Sequence, residues 1–211
     1  MTSRPGWTVL LLGGASGVGK STAAERIGRQ LGYPWLQVDD LRLAAQFGGM
    51  VAPDTQADLF FFLHTPSFWR LPPELLRDRL IAVGVALIPA LAVIIEHHVG
   101  TGKPLVIEGD GIHPALFALP AVRAHIDRGL VRGVFLHGEA EEAIAANLRS
   151  RGRRDLGPPD EEALRAGALL NLHYGTWLCQ EALRCGLPTM PVRPWETLVA
   201  RLLAMPNDAG R

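Results

Sequence analysis

Short apolar runs alternate with stretches of helical periodicity along this 211-residue chain. The apolar runs predict five strands, which cover residues 7–12, 35–38, 105–107, 131–136 and 189–192. The periodic stretches predict helices, which cover residues 22–31, 41–47, 74–99, 120–128, 139–151, 161–185 and 195–205. Residues 48–73 are rich in aromatic side chains and are expected to be irregular. The alternation of strand and helix predicts an α/β fold with a parallel sheet and helices on both faces.

The most apolar stretch of the chain lies inside the long helix predicted over 74–99. Residues 80–95 carry no charged or hydrophilic side chain, and Pro89 interrupts them. A membrane-spanning helix needs about 20 apolar residues, and charged residues bracket this shorter stretch tightly. The pattern therefore favours a helix buried in a protein core over a membrane span, and no membrane partner is expected.

Composition and charge narrow the class of protein. Hydrophobic residues make up 48% and charged residues 20% of the chain, which argues against disorder. Lysine plus arginine equals aspartate plus glutamate at 21 each, so no positive field would attract nucleic acid. The chain length fits one domain over residues 1–211. Cys179 and Cys185 are expected to be reduced, buried thiols in a cytoplasmic protein, because they show no disulfide or zinc spacing.

One glycine-rich segment matches a phosphate-binding loop at every fixed position. Residues 14–21 read GASGVGKS, which fits the pattern G-x-x-x-x-G-K-[ST] between a predicted strand and a predicted helix. In this arrangement the backbone N–H groups cradle phosphates, the lysine reaches the β- and γ-phosphates, and the final hydroxyl ligates Mg²⁺. The predicted nucleotide-binding residues are Gly14, Ala15, Ser16, Gly17, Val18, Gly19, Lys20, Ser21 and Thr22. No asparagine is followed by lysine, so the Asn-Lys-x-Asp signal for guanine is missing and ATP is the expected nucleotide.

Carboxylates follow two of the predicted strands. Asp39 and Asp40 follow the second strand, while Glu108 and Asp110 follow the third. Ligands of open α/β sheets bind at the carboxyl ends of the strands, so these acids should converge on the glycine-rich loop. Glu108 is expected to organise Mg²⁺ together with Ser21. Asp39 is expected to act on an acceptor hydroxyl, while one member of the Asp39/Asp40 pair caps a helix beginning at residue 41.

The role of Asp110 stays open between substrate binding and a turn. Arg42 is placed either to pair an anionic group of the acceptor or to face solvent. Four arginines also crowd residues 149–154, next to a Gly/Pro loop. Residues 149–160 are therefore predicted to form a lid, in which Arg151 and Arg154 neutralise charge during phosphoryl transfer, although a solvated helix end would explain one or two of these arginines.

Three segments carry a family resemblance. They are residues 13–21 (GGASGVGKS), 38–42 (VDDLR) and 102–114 (GKPLVIEGDGIHP). With them the chain resembles P-loop small-molecule kinases, most closely the 2-phosphoglycerate kinase-like group, and residues 131–154 are also compatible with gluconate-, shikimate- and chloramphenicol-type kinases. The chain departs from the former group in two places: Val38 stands where that group has threonine, and an extra Asp110-Gly111 follows Glu108-Gly109.

The resemblance implies a P-loop fold with strand order 2-3-1-4-5, Mg²⁺-ATP as donor and a lid after strand four. The leading hypothesis is a kinase for a hydroxyl of a small, anionic metabolite, with residues 41–99 forming the acceptor insertion and long helix. An ATPase or nucleotide-dependent switch is the alternative. A kinase for a nucleotide, antibiotic or nucleotide sugar is a third hypothesis, in which Phe60, Phe61, Phe62 and Trp69 stack on a ring. A monomer or a homodimer is expected.

Overall fold

A five-stranded parallel sheet forms the centre of the molecule. The structure is a computed structural model and describes residues 5–54, 56–138, 140–150 and 161–206. The strands are β1 (Val9–Gly13), β2 (Trp35–Gln37), β3 (Leu105–Gly109), β4 (Val131–His137) and β5 (Thr189–Pro191). Their spatial order is β2-β3-β1-β4-β5, and every neighbouring pair is parallel. The predicted α/β P-loop fold and its strand order are therefore confirmed.

Eight α-helices connect and cover these strands within the described residues. They are α1 (Lys20–Leu31), α2 (Val38–Phe47), α3 (Ala57–His64), α4 (Pro73–Thr101), α5 (Pro120–Asp127), α6 (Glu141–Ser150), α7 (Glu161–Arg184) and α8 (Trp195–Ala204). Two short 3-10 helices cover Phe68–Arg70 and Pro114–Ala118. Helices cover both faces of the central strands, so β1 and β3 consist entirely of buried residues.

The aromatic segment 48–73 was predicted to be irregular, and that prediction is only partly right: the described residues among 48–56 form no helix or strand, but much of the rest is helical. It contains α3 and the 3-10 helix Phe68–Arg70. Aromatic residues have only modest helix propensity, so the local sequence of α3 gives a weak helical signal. Tertiary packing decides the conformation instead: Leu59 and Phe60 are each only 3% exposed, and α3 packs against α4.

Helix α4 is only half-buried, which corrects the expectation of a helix enclosed in the core. It runs through Pro89 without a break and buries one side, on which Leu87, Leu91 and Ile95 are at most 3% exposed. Val85 and Val93 on its other side are 49% and 69% exposed. By length and composition α4 is apolar enough to cross a membrane, with a mean hydropathy of 2.2, but core helices of soluble proteins pass the same test.

The two cysteines differ in their surroundings. Cys179 lies within α7 and is half-buried, whereas Cys185 follows the last residue of α7 and is exposed. Both thiols are free. The prediction of two buried thiols is therefore wrong, because α7 ends one residue before Cys185 and leaves it outside the core.

Candidate functional site

The glycine-rich loop joins the end of β1 to the start of α1, as its motif predicts. Gly14, Gly17 and Gly19 have φ angles of +142°, +88° and +87°. Side chains other than glycine rarely adopt these angles, so the loop needs glycine at all three positions. Gly19 also precedes the first residue of α1, which places the loop at the positive end of a helix dipole.

Lys20 folds back over this loop. Its side chain is buried, with 5% exposure, and its Nζ atom donates a hydrogen bond of 2.8 Å to the carbonyl oxygen of Ala15. The ammonium group therefore lies within the loop whose backbone N–H groups would cradle phosphates. A cation held at this position is able to contact a phosphate chain without a large movement of the backbone.

Glu108 brings a buried carboxylate to the same point from β3. It pairs in register with Leu12 of β1, two residues before the loop begins at Gly14, and it is 3% exposed. Burial raises the pKa of Glu108, while the charge of Lys20 and a hydrogen bond from the Ser21 hydroxyl partly offset that rise. The Ser21 hydroxyl and the Glu108 carboxylate are thus adjacent oxygen donors, the type that Mg²⁺ prefers.

Asp39 reaches the site from a helix and not from a strand end. Helix α2 begins at Val38, three residues earlier than predicted, so Asp39 and Asp40 lie in its first turn. Neither aspartate caps the helix, because the residue before it is Gln37, which makes no side-chain cap. The predicted capping role of this pair is therefore wrong. The early start follows from packing, since Val38 is 1% exposed and lies directly against Gly109 of β3.

The electrostatic surroundings of Asp39 raise its pKa. Displacement of water by the surrounding protein is the largest cause, and the nearby charge of Asp110 adds to it, whereas Arg42 and Lys20 act in the opposite direction. The Nη2 atom of Arg42 lies 3.0 Å from the Oδ1 atom of Asp39, and the Arg42 side chain is 24% exposed. Arg42 is therefore an ion-pair partner of Asp39 at the edge of the site and does not simply point to solvent.

Asp110 is held in place from two directions. Its Oδ2 atom accepts a hydrogen bond of 2.9 Å from the Ser16 hydroxyl, and its carbonyl oxygen accepts one of 2.7 Å from the Tyr174 hydroxyl. Tyr174 is completely buried in α7, and this burial raises the pKa of its phenol well above the usual value. The Asp110 carboxylate is thus bonded to the phosphate-binding loop, while its backbone is bonded to helix α7.

These side chains share one crevice of about 50 Å³ at the carboxyl ends of β1 and β3. Its lining residues are Ser16, Lys20, Ser21, Gln37, Asp39, Glu108, Gly109 and Asp110. Within the described residues, no group of three or more His, Cys, Asp or Glu side chains has the arrangement of a metal site. A cation at this crevice would therefore share its coordination between protein oxygens and the oxygens of a bound phosphate, as Mg²⁺ commonly does.

A second hollow of about 270 Å³ lies on the other side of the loop. Its lining residues are Gly17, Gly19, Thr22, Arg26, Asn147, Ser150 and Trp195. The indole of Trp195 covers Gly19 so closely that a Cβ atom at that position would overlap the ring. A larger cleft of about 550 Å³ lies near the start of β4 and β5, at the opposite end of the sheet, so its size does not connect it with this chemistry.

Of the predicted lid, residues 149–160, only residues 149 and 150 are among those that the structure describes. Arg151 and Arg154 lie outside the described residues. Arg149 is placed at the end of α6, where its Nη2 atom lies 2.8 Å from the Oε2 atom of Glu161 in α7. This exposed ion pair joins the two helices that flank segment 151–160.

Sequence reasoning missed four residues that contact or surround the loop: Asn147, Asn171, Tyr174 and Trp195. Asn171 could have been identified from the sequence, because it is a polar residue between Leu169-Leu170 and Leu172 inside a predicted helix. A poor helix former at such a position commonly has a specific hydrogen-bonding role. The other three residues have no comparable local signal, since only the tertiary structure brings them to the loop.

Comparison with known proteins supports the fold. No family model matches the chain, and no curated protein matches it. Among solved structures, the chain is similar to a gluconokinase from Sinorhizobium meliloti 1021, with 22% identity, a TM-score of 0.51, and coverage of 95% of this chain and 92% of that one. A shikimate kinase from Bacteroides thetaiotaomicron aligns with 19% identity and a TM-score of 0.48, over 92% of this chain and 96% of that chain. At 22% identity the likeness to the gluconokinase establishes a shared fold and leaves the activity to be argued from the site.

Proposed function

We propose that this protein is an ATP-dependent phosphotransferase that moves the γ-phosphoryl group to a hydroxyl of a small, anionic metabolite. The observation that carries this proposal is the crevice in which Lys20 and the glycine-rich loop face three carboxylates from two other elements. Phosphoryl transfer requires a phosphate cradle, oxygen donors for a metal and a carboxylate for the acceptor. Candidates for all three line this one crevice, at the carboxyl ends of the strands, where ligands of open α/β sheets bind.

The nucleotide phosphates would occupy the loop of residues 14–19, within reach of Lys20. Ser21 and Glu108 would hold Mg²⁺, which supplies charge neutralisation on the phosphate oxygens. The base would lie in the 270 Å³ hollow beside Trp195, because that hollow opens directly from Gly17 and Gly19 of the loop. An indole face is a suitable stacking surface for a purine.

Asp39 is the proposed general base. Its carboxylate would accept the proton of the acceptor hydroxyl as that oxygen attacks the γ-phosphorus and the bond to the β–γ bridging oxygen breaks. A raised pKa makes the ionised Asp39 carboxylate a better proton acceptor than an ordinary aspartate. Arg42 would pair with an anionic group of the acceptor. Its Nε atom is buried beside Asp39 and has no hydrogen-bond partner in the described part of the chain.

We also propose that Arg151 and Arg154 complete the site from the segment after α6. The supporting observation is that Ser150, the last residue of α6, lines the hollow beside Trp195. The next residues therefore start from the edge of the nucleotide site. Cations that approach from there would stabilise the charge that spreads over the γ-phosphoryl oxygens during transfer.

ATP turnover measured with and without a panel of small hydroxylated acceptors tests this function. The panel should include gluconate, shikimate and 2-phosphoglycerate along with neutral sugars and nucleosides, and mass spectrometry should identify any phosphorylated product. We expect one class of anionic acceptor to stimulate turnover. Lys20→Ala should abolish that turnover without loss of the unfolding transition, which makes it the matched control. Basal hydrolysis that no acceptor stimulates would refute the kinase and favour an ATPase.

A further inference from the structure

Two asparagines on neighbouring helices bond directly to adjacent residues of the glycine-rich loop. The Nδ2 atom of Asn147 in α6 donates a hydrogen bond of 2.7 Å to the carbonyl oxygen of Gly17. The Oδ1 atom of Asn171 in α7 accepts a hydrogen bond of 2.9 Å from the backbone N–H of Ser16. One helix therefore holds the loop through an acceptor and the other through a donor.

Close packing keeps both helices at the distance that these bonds require. A Cβ atom at Gly175 of α7 would lie 3.1 Å from the Cβ atom of Ala15, and one at Gly17 would lie 3.3 Å from the Cγ2 atom of Ile144 in α6. Asn171 is 8% exposed, and its Nδ2 atom donates a hydrogen bond of 2.8 Å to the carbonyl oxygen of Gly167. Its amide is thus held in one orientation, with the oxygen directed at the loop.

We propose that Asn147 and Asn171 are positioning residues that hold the glycine-rich loop in its phosphate-binding shape and tie it to the two helices flanking segment 151–160. Gly17 has a φ angle of +88°, and glycine has no side chain that could fix this backbone conformation. The bond to the Gly17 carbonyl oxygen and the bond from the Ser16 N–H hold the two peptide groups that flank the Ser16–Gly17 peptide. Through these two hydrogen bonds, phosphate binding at the loop acts directly on α6 and α7.

The opposite polarity of the two bonds gives a matched pair of variants. Aspartate has two acceptor oxygens and no donor when ionised. Asn171→Asp therefore keeps the acceptor for the Ser16 N–H, whereas Asn147→Asp loses the donor and sets an anion against the Gly17 carbonyl. Both variants add one negative charge near the phosphate site, and both lose a bond to a carbonyl oxygen. Only at position 147 does that carbonyl belong to the loop.

The measurement is the dissociation constant for inorganic tripolyphosphate and for ATP in the presence of Mg²⁺, by calorimetry, with the unfolding temperature recorded for each variant. We expect Asn147→Asp to weaken tripolyphosphate binding about tenfold or more relative to Asn171→Asp, since a hydrogen bond lost at a buried polar group changes an equilibrium by about this factor. A purely structural role would lower the unfolding temperature without separating the two affinities. Equal affinities for the two variants would overturn the proposal.

The expected affinities depend on the proposed nucleotide-binding function, so amide hydrogen exchange in the free protein supplies an independent readout. The Ser16 amide should exchange slowly in the wild type and in Asn171→Asp. It should exchange at least about tenfold faster in Asn171→Ser, whose side chain is too short to reach the loop and fits within a helix. Unchanged Ser16 exchange in Asn171→Ser would refute the role of Asn171 even if nucleotide binds. Wild-type protein that binds neither ATP nor tripolyphosphate would refute the proposed function, while the exchange rates would still decide whether Asn171 holds the loop.

Discussion

Replacement of Trp195 by alanine tests where the nucleotide base lies. The indole covers Gly19 and lines the 270 Å³ hollow together with Thr22 and Arg26. The Arg193 guanidinium lies 5.6 Å from the centre of the indole ring, which keeps a cation close to the same surface. If the base occupies this hollow, the indole is the largest aromatic surface available to it there.

The size of the effect follows from the contact that is lost. Stacking of a base on an aromatic side chain contributes about 1–3 kcal/mol by alanine substitution. Since about 1.4 kcal/mol corresponds to a factor of ten, Trp195→Ala should weaken ATP binding by roughly 5- to 150-fold. Binding of inorganic tripolyphosphate should change much less, because it occupies the loop and not the hollow. The ratio of the two dissociation constants therefore isolates the contribution of the base.

Isothermal titration of Mg²⁺-ATP and Mg²⁺-tripolyphosphate against each variant provides the assay. Trp195→Phe is the matched control, because it retains a smaller stacking ring and should lose only part of the ATP affinity. An equal loss for both ligands in Trp195→Ala would mean that the indole supports the shape of the loop at Gly19. Unchanged ATP affinity would refute a base site in this hollow.

The other predictions concern the carboxylates and the arginines after α6. Asp39→Asn should lower turnover about 10²- to 10⁴-fold, the range for loss of a general base, with little change in the dissociation constant for ATP; a loss of ATP affinity without loss of turnover would make Asp39 a metal-site residue. Arg151→Ala and Arg154→Ala should each slow the chemical step with little change in stability, and unchanged turnover of the double variant at saturating ATP and acceptor would rule out the lid. Because Glu108 binds its proton more tightly when folded than when unfolded, its ionisation should reduce stability as pH rises from the usual glutamate range through its raised pKa. Thermal unfolding measured over this pH range, without ligand or metal, should show a smaller loss of stability in Glu108→Gln than in the wild type. Identical pH profiles for the two proteins would contradict this.

Much of the fold is readable from the sequence because parallel strands covered on both faces are apolar along their whole length. Residues 9–13 and 105–107 are such runs, and each ends at a chemically distinctive segment. The helix Ala57–His64 is the counterexample. Its aromatic composition gives no clear helical period, and its contact with α4 supplies the stabilisation that the local sequence lacks. Local sequence patterns therefore identify elements whose own residues carry a clear strand or helix signal. They miss elements that are stabilised mainly by contact with a distant part of the chain.

The candidate site divides in the same way. Lys20 and Ser21 are identifiable because they follow β1 at the fixed spacing of the loop motif. Glu108 is identifiable because it directly follows the apolar run 105–107 inside β3. Asn147 and Trp195 reach the loop from positions 130 and 176 residues after Gly17 and Gly19, respectively. No spacing rule spans such distances, so only the packing of α6 and α8 on the loop reveals them. Asp39 is intermediate, since its position was correctly expected near the loop but its helix begins earlier than its sequence suggests.

The balance of charge in the crevice explains why a triphosphate bound there needs additional cations. Asp39, Glu108 and Asp110 bring three carboxylates to the loop, where Lys20 and the ion-paired Arg42 are the described cations. The raised pKa values of Asp39 and Glu108 show that these cations do not fully compensate the burial and mutual repulsion of the carboxylates. A triphosphate adds further negative charge to the same space. Additional positive charge must therefore accompany it, and the proposed Mg²⁺ and the proposed lid residues Arg151 and Arg154 would be its two sources.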